Sequence, residues 1–201
     1  MIIWINGAFG AGKTQTAYEL HRRMPGSVVY DPEEAGYFIR RQIPRQIAKD
    51  DFQLYPMWRE INYAMLAYLN REYPGAVIVP MTVVDPAIFD EIVGRLRRDG
   101  MEVRHFALCA SRAALLRRLR SRGEGSGSWA AQQIDRCLTG LADEAFERRL
   151  DTEHWSVRQT AEAIAAELGI MLTPDNRSGA RKLWDRLRTQ IGHIRWLGGM
   201  K

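Results

Sequence analysis

Gly7, Gly12, Lys13 and Thr14 stand at the spacing G-x-x-x-x-G-K-[ST], and residues of those types at those positions do one kind of chemistry. The glycines let the backbone curl so that its N–H groups turn inward onto phosphate oxygens. Lys13 brings a mobile ammonium to the β- and γ-phosphates, and the Thr14 hydroxyl is a ligand for Mg²⁺. Ala8, Phe9, Gly10, Ala11 and Gln15 complete the wall of this cradle. ATP and Mg²⁺ are therefore the expected ligands.

Such a cradle needs a strand leading in and a helix leading out. Residues 2–5 are apolar and strand-like, and residues 15–22 are compatible with a helix that begins near Lys13. That helix adds the positive end of its dipole to the phosphate site. Pro25-Gly26 ends it, and 27–30 reads as a second strand. Asp31 follows at that strand's carboxyl end, where open α/β sheets place their ligands. It is the candidate general base for a substrate hydroxyl. It is also a good N-cap for a helix starting Pro32-Glu33-Glu34, and the two roles can coexist.

Residues 33–72 hold no convincing strand. They read as two or three helices broken at Gly36, Pro44 and Pro56, which is long for a simple crossover. A substrate-binding lobe is expected here, with Phe52 and Trp58 for a ring system and Arg40, Arg41 and Arg59 for acidic groups. For each aromatic, ordinary helix-core packing is the competing reading. A buried strand spans 76–79, and Thr82 beyond it would line the site. Asp85 is a candidate for Mg²⁺ through a water, but Asp85-Pro86 also suits the cap of a helix over 86–98, and the cap is favoured.

A fourth strand covers 102–109, and Ser111 caps a helix from Arg112 to about Arg122. Arg118 and Arg122 would share one face of it at i, i+4. A glycine-rich loop, 123–128, leads to a helix over 129–142 that carries Arg136. Arginines around a glycine loop predict a lid over 118–136 that closes on ATP and stabilises charge on the transferred phosphoryl group. A solvated basic face is the alternative. A weak last strand, 147–152, precedes a helix over 157–168 capped by Ser156. After a linker, residues 173–201 form a basic amphipathic C-terminal segment, which would either lie on an anionic membrane surface or pack on the domain.

The chain has 201 residues, enough for one domain over 1–172 plus this appended helix. Net charge is +5 and arginine far outnumbers lysine, which suits phosphate clamps and anionic surfaces. Cys109 and Cys137 make no disulfide framework, and the four histidines lack metal-ligand spacing. There is no signal-peptide pattern and no apolar run of membrane-spanning length. A cytoplasmic chain, peripheral at the membrane's inner face at most, is expected. No nucleic-acid partner is expected, and oligomeric state is not legible.

The order of strand, phosphate loop, helical lobe, arginine-flanked lid and final strand–helix resembles the nucleoside monophosphate kinase-like P-loop fold. That implies a three-layer α/β/α architecture with a five-stranded parallel sheet. Within it, residues 2–10, 12–17, 47–53 (Ile47-Ala48-Lys49-Asp50-Asp51-Phe52-Gln53), 78–82 and 128–131 (Ser128-Trp129-Ala130-Ala131) resemble the TmrB-type tunicamycin-resistance proteins, across nearly the whole chain. The resemblance implies ATP binding through Gly7 to Thr14 and a role in resistance to tunicamycin, a lipidated uridine-containing antibiotic. It also implies membrane association through the C-terminal helix. Asp31 stands where related small antibiotic phosphotransferases place an acidic base. The expected function is ATP-dependent phosphoryl transfer to a hydroxyl of tunicamycin or a related nucleoside, with Lys13, Asp31, Arg118, Arg122 and Arg136 as the catalytic set. The alternative is an ATP-binding protein that sequesters the drug at the membrane, since the third strand carries no clear acidic residue for Mg²⁺. An ordinary nucleoside or nucleotide kinase is a further reading.

Overall fold

The computed structural model describes residues 1–179 together with Arg181, Trp184 and Asp185. Its centre is a five-stranded sheet in the order β2-β3-β1-β4-β5, with every pairing parallel. β1, Ile2–Gly7, is buried at every position, which is why it reads as an unbroken apolar run. It pairs with β3, Val77–Pro80, on one side and with β4, Val103–Cys109, on the other. β2, Val28–Val29, and β5, Arg149–Asp151, are short edges. Both are shorter than their sequence patterns suggested.

Pro80 stays in its strand, opposite Ile5. Val77 donates its N–H to the Met1 carbonyl just before β1 and Met81 donates to Ile5 within it, so the alternate nitrogen of Pro80 faces the β2 side. β2 has already ended at Val29, opposite Ile78, so no ladder donor is missed there.

Helices flank the sheet. α1, Lys13–Arg23, leaves the phosphate loop and packs against α9, Val157–Glu167. α2, Pro32–Gln42, runs through Gly36 without a break. The glycine serves a close approach instead: a Cβ there would lie 2.5 Å from the Phe52 ring. Two short 3₁₀ turns, Arg45–Ile47 and Phe52–Leu54, lead to α3, Pro56–Glu72. Pro56 occupies the first turn of α3, where its missing N–H costs nothing. The next helical run is α4, Pro86–Phe89, a π turn over Asp90–Gly94, and α5, Arg95–Arg98.

The lid region departs from its expected form. α6, Arg112–Arg120, stops before Arg122, which lies in the turn leading to Gly123. Arg118 and Arg122 therefore do not share a regular helix face. The expected helix over 129–142 is divided at Gln133 into α7, Trp129–Gln132, and α8, Ile134–Gly140. α9 begins with a capping box, in which Ser156 accepts from the Gln159 N–H while the Gln159 side chain accepts from the Ser156 N–H.

The core between sheet and helices includes an aromatic group of Trp4, Phe89, His105 and Phe146. Burial there pushes the His105 imidazole down to about 4, so it is neutral at physiological pH. No helix among the described residues is long and apolar enough to cross a membrane. Most of the expected C-terminal amphipathic helix, including Leu183, Leu187, Ile191 and Ile194, lies outside the described residues. The segment leading into it is tied to α1. Thr173 donates its N–H to the Arg23 carbonyl at 2.8 Å, and Arg177 donates to both carboxylate oxygens of Glu19.

Candidate active site

The loop between β1 and α1 is bent by glycines in conformations closed to other residues. Gly10 and Gly12 have φ of +84° and +96°, and a Cβ on Gly10 would meet the Leu115 carbonyl at 2.9 Å. Behind the loop, Asn6 fixes the position of the chain after β3. Its Nδ2 donates to the Val83 carbonyl at 2.8 Å, and its Oδ1 accepts from the Val83 and Gly7 N–H groups at 3.0 and 2.8 Å. Thr82 donates its hydroxyl to the Gly7 carbonyl at 2.9 Å. These polar groups are buried and paired, so the cradle is preorganised.

Lys13 is buried, with Nζ 3.1 Å from the Ala8 carbonyl and 5.5 Å from the centre of the Phe9 ring. Burial lowers its ammonium to about 8. Glu33 and Asp31 pull the other way and Arg122 adds to the lowering. Thr14, half-buried, is the second residue of α1, with its hydroxyl in the first turn.

Asp31 follows β2 and caps α2, accepting the Glu33 N–H at 3.0 Å. It is half-buried, and burial pushes its carboxyl up to about 7. The Glu33 carboxylate also raises it, while the hydrogen bond from the Glu33 N–H and the charge of Lys13 oppose the rise. The cap and the base are thus compatible in one side chain, since a carboxylate has more acceptor sites than the cap uses. Tyr37 donates its hydroxyl to Glu33 at 3.0 Å, which orients that second acid. From the lobe, buried Gln53 donates to the Thr82 carbonyl at 2.8 Å. The lobe is thereby joined to the strand end that holds the phosphate loop.

The family profile described as an AAA domain matches residues 2–143. The solved tunicamycin resistance protein of Deinococcus radiodurans is 39% identical, over 87% of this chain and 98% of that one, with a TM-score of 0.74. This chain belongs to the tunicamycin-resistance protein family. At the level of fold, a gluconokinase from Sinorhizobium meliloti is also similar, 19% identical over 83% of this chain and 90% of that one, TM-score 0.61. So is a shikimate kinase from Bacteroides thetaiotaomicron, 16% identical over 85% and 99%, TM-score 0.57. No curated protein matches the chain. The family therefore lies within the P-loop kinase-like superfamily, whose phosphate loop is built for a nucleotide.

In this chain Asp31 and Arg122 lie within electrostatic reach of Lys13. Arg122 is half-buried and its guanidinium is held below its usual range by burial. Arg118 donates to the carbonyls of Thr152 and Glu153, joining α6 to the loop after β5. Arg136 reaches across to the lobe and pairs with Asp51 at 3.1 Å. Arg40 donates to the Asp50 carbonyl and lies 5.4 Å from the centre of the Phe52 ring. Arg41 is exposed on the last turn of α2.

Other expected site residues hold structure instead. Trp58 is fully buried and donates its indole N–H to the Pro32 carbonyl at 3.0 Å, so it anchors the lobe and offers no face to a ligand. Thr82 is stapled behind the loop. Asp85 accepts from the Ala87 N–H at 2.8 Å, as the cap reading required. Arg59 pairs with Glu91 and donates to the Gln53 carbonyl at 2.8 Å. Phe52 is half-buried beneath Gly36.

The sequence alone gives Asn6, Glu33 and Gln53 no role in the site, and it gives Tyr37 only a place among the aromatics of the lobe. Asn6 carried a signal, as a polar residue closing an apolar strand. Glu33 carried a weaker one, two positions after a candidate base. Nothing local distinguishes Gln53 from its exposed neighbours.

Proposed function

We propose that this chain transfers the γ-phosphoryl group of ATP to a hydroxyl of a nucleoside antibiotic of the tunicamycin type. One observation carries the proposal: a half-buried acid at the end of β2, Asp31, stands within electrostatic reach of the phosphate-loop lysine, with its carboxyl near 7. A base poised near neutrality is what abstraction of an alcohol proton requires. The 39% identity to a tunicamycin resistance protein supports the choice of acceptor.

In this reading the loop N–H groups and Lys13 hold the β- and γ-phosphates. Asp31 orients the acceptor hydroxyl and takes its proton as the new O–P bond forms and the bond to the β–γ bridging oxygen breaks. The electron pair leaves on ADP. Lys13, Arg122 and, on closure, Arg118 and Arg136 balance the charge on the transferred group. The Thr14 hydroxyl is a hard oxygen donor that fits Mg²⁺, which takes few protein ligands beside phosphate oxygens. When bound it neutralises phosphate charge. Lys13, Thr14 and the acids supply positioning in either case.

A second reading, binding without transfer, draws on one feature. The end of β3 offers no carboxylate, and Asp85 beyond it is engaged as a helix cap. Mass spectrometry of tunicamycin after incubation with the chain, ATP and Mg²⁺ separates the two. The gain of one phosphoryl group is expected. Unchanged drug held tightly by the protein would overturn transfer in favour of sequestration.

A further inference from the structure

Trp129 opens the short helix α7, yet its indole is 56% exposed. It does not project idly from the surface. It meets Phe9, inside the phosphate loop, with ring centres 5.0 Å apart and planes 72° apart. An edge-to-face contact of this kind fixes a ring in place while leaving much of it bare. Phe9 in turn lies beside the Lys13 ammonium. The indole is therefore held next to the group that grips the phosphates.

A second contact ties the same segment to the lobe. Arg136 lies on α8, the helix that follows α7 after Gln133. It donates to the Asp51 carboxylate of the lobe at 3.1 Å. The segment that carries Trp129 therefore runs from the phosphate loop to the lobe.

We infer that Trp129, backed by Phe9, is a specificity-determining residue whose indole stacks on the nucleobase of the acceptor nucleoside. The inference rests on the phosphotransferase reading above and adds the class of group that the lid recognises. A planar base has an apolar face that displaces water from the indole, and its stacking needs no exact hydrogen-bond match. The contact positions the acceptor and takes no part in the bond changes. Closing the lid on a base would also bring Arg136 and Arg122 toward the transferred group, so recognition of the ring and completion of the charged site would be coupled.

The test is calorimetric titration of the full chain with uridine, in the presence of Mg²⁺ and a non-hydrolysable ATP analogue. The parent is compared with Trp129→Ala and Trp129→Phe. Trp129→Ala is expected to weaken uridine binding roughly five- to hundredfold, the range of one base–aromatic stack. Trp129→Phe recovers most of the loss, and the affinity for the ATP analogue stays unchanged in both. Unaltered uridine affinity in Trp129→Ala overturns the inference. So does a parallel loss of analogue binding, which would give the indole to the nucleotide's own base. A parent that binds N-acetylglucosamine in a Trp129-dependent way, but not uridine, overturns the nucleobase assignment. A parent that binds the analogue and not uridine sinks this inference alone, whereas one that binds no analogue sinks the phosphotransferase reading beneath it.

Discussion

Behind the phosphate loop, Asn6 and Thr82 bury their polar atoms in hydrogen bonds to the main chain of Val83 and Gly7. Elsewhere, α8 meets the lobe through Arg136 and Asp51, whose side chains are 53% and 18% exposed. The first set of bonds is dry and has no competing water. The second is solvated and salt-screened. The difference matters because the two regions have different tasks. In the proposed reaction a triphosphate is the same in every turnover and suits a fixed cradle, whereas an acceptor must enter and leave, which suits a contact of low cost.

The largest test of this contrast falls on the residue between the two regions. Asp31→Asn is expected to lower kcat by about 10²–10⁴-fold with the affinity for Mg–ATP retained, because general-base assistance is worth that much. A fall below about tenfold would remove Asp31 from the chemistry. In the parent, kcat should rise with pH as the Asp31 carboxyl ionises near 7, and that limb should vanish in the variant. Stability runs the other way. Asp31 is raised above its ordinary 3.8, so the folded chain holds more protons between about 4 and 7 and loses stability as pH rises through that window. Asp31→Asn flattens that slope in denaturant melts.

Next in size is Trp58→Ala, expected to cost about 3–5 kcal/mol as a large buried aromatic. Denaturant unfolding measures it, and a cost of under about 1 kcal/mol would mean that the lobe has no core anchor of its own. Asn6→Ala should cost about 1–3 kcal/mol, since it strands buried N–H and carbonyl groups of Val83 and Gly7. It should also weaken ATP binding by loosening the loop. Full affinity in a destabilised Asn6→Ala chain would show that the cradle forms without its support. The smallest effect is expected from the Arg136–Asp51 pair: a double-mutant cycle should give about 0.2–1 kcal/mol, declining with salt. A coupling well above that range would make the lid contact as firm as the loop contacts and erase the contrast.

The legible parts of the molecule were those whose cause is local. The phosphate loop is read from its glycines and Lys13. β1 is read from an apolar run, and α9 from Ser156 and its partner Gln159. Asp85 and Asp31 announced themselves as caps because capping spans only a few residues. Gly36 misled for the opposite reason. Its role is set by the Phe52 ring sixteen positions away in sequence, which no helix rule contains. Trp58 looked suited to a ligand because an aromatic's identity does not say which way it faces, and packing against the main chain of Pro32 turned it inward.

By itself, then, the sequence determined the phosphate-binding turn, the parallel α/β plan and the presence of an acid after β2, since short-range backbone geometry and periodicity dictate all three. Only the tertiary structure decided that β3 lies between β1 and β2, that Asp31 nonetheless lies within electrostatic reach of Lys13, that Gln53 and Thr82 join the lobe to the loop, and that Trp129 stands exposed beside Phe9. Those facts depend on which distant segments share a boundary with water or with each other, and burial of that kind is a property of the packed chain as a whole.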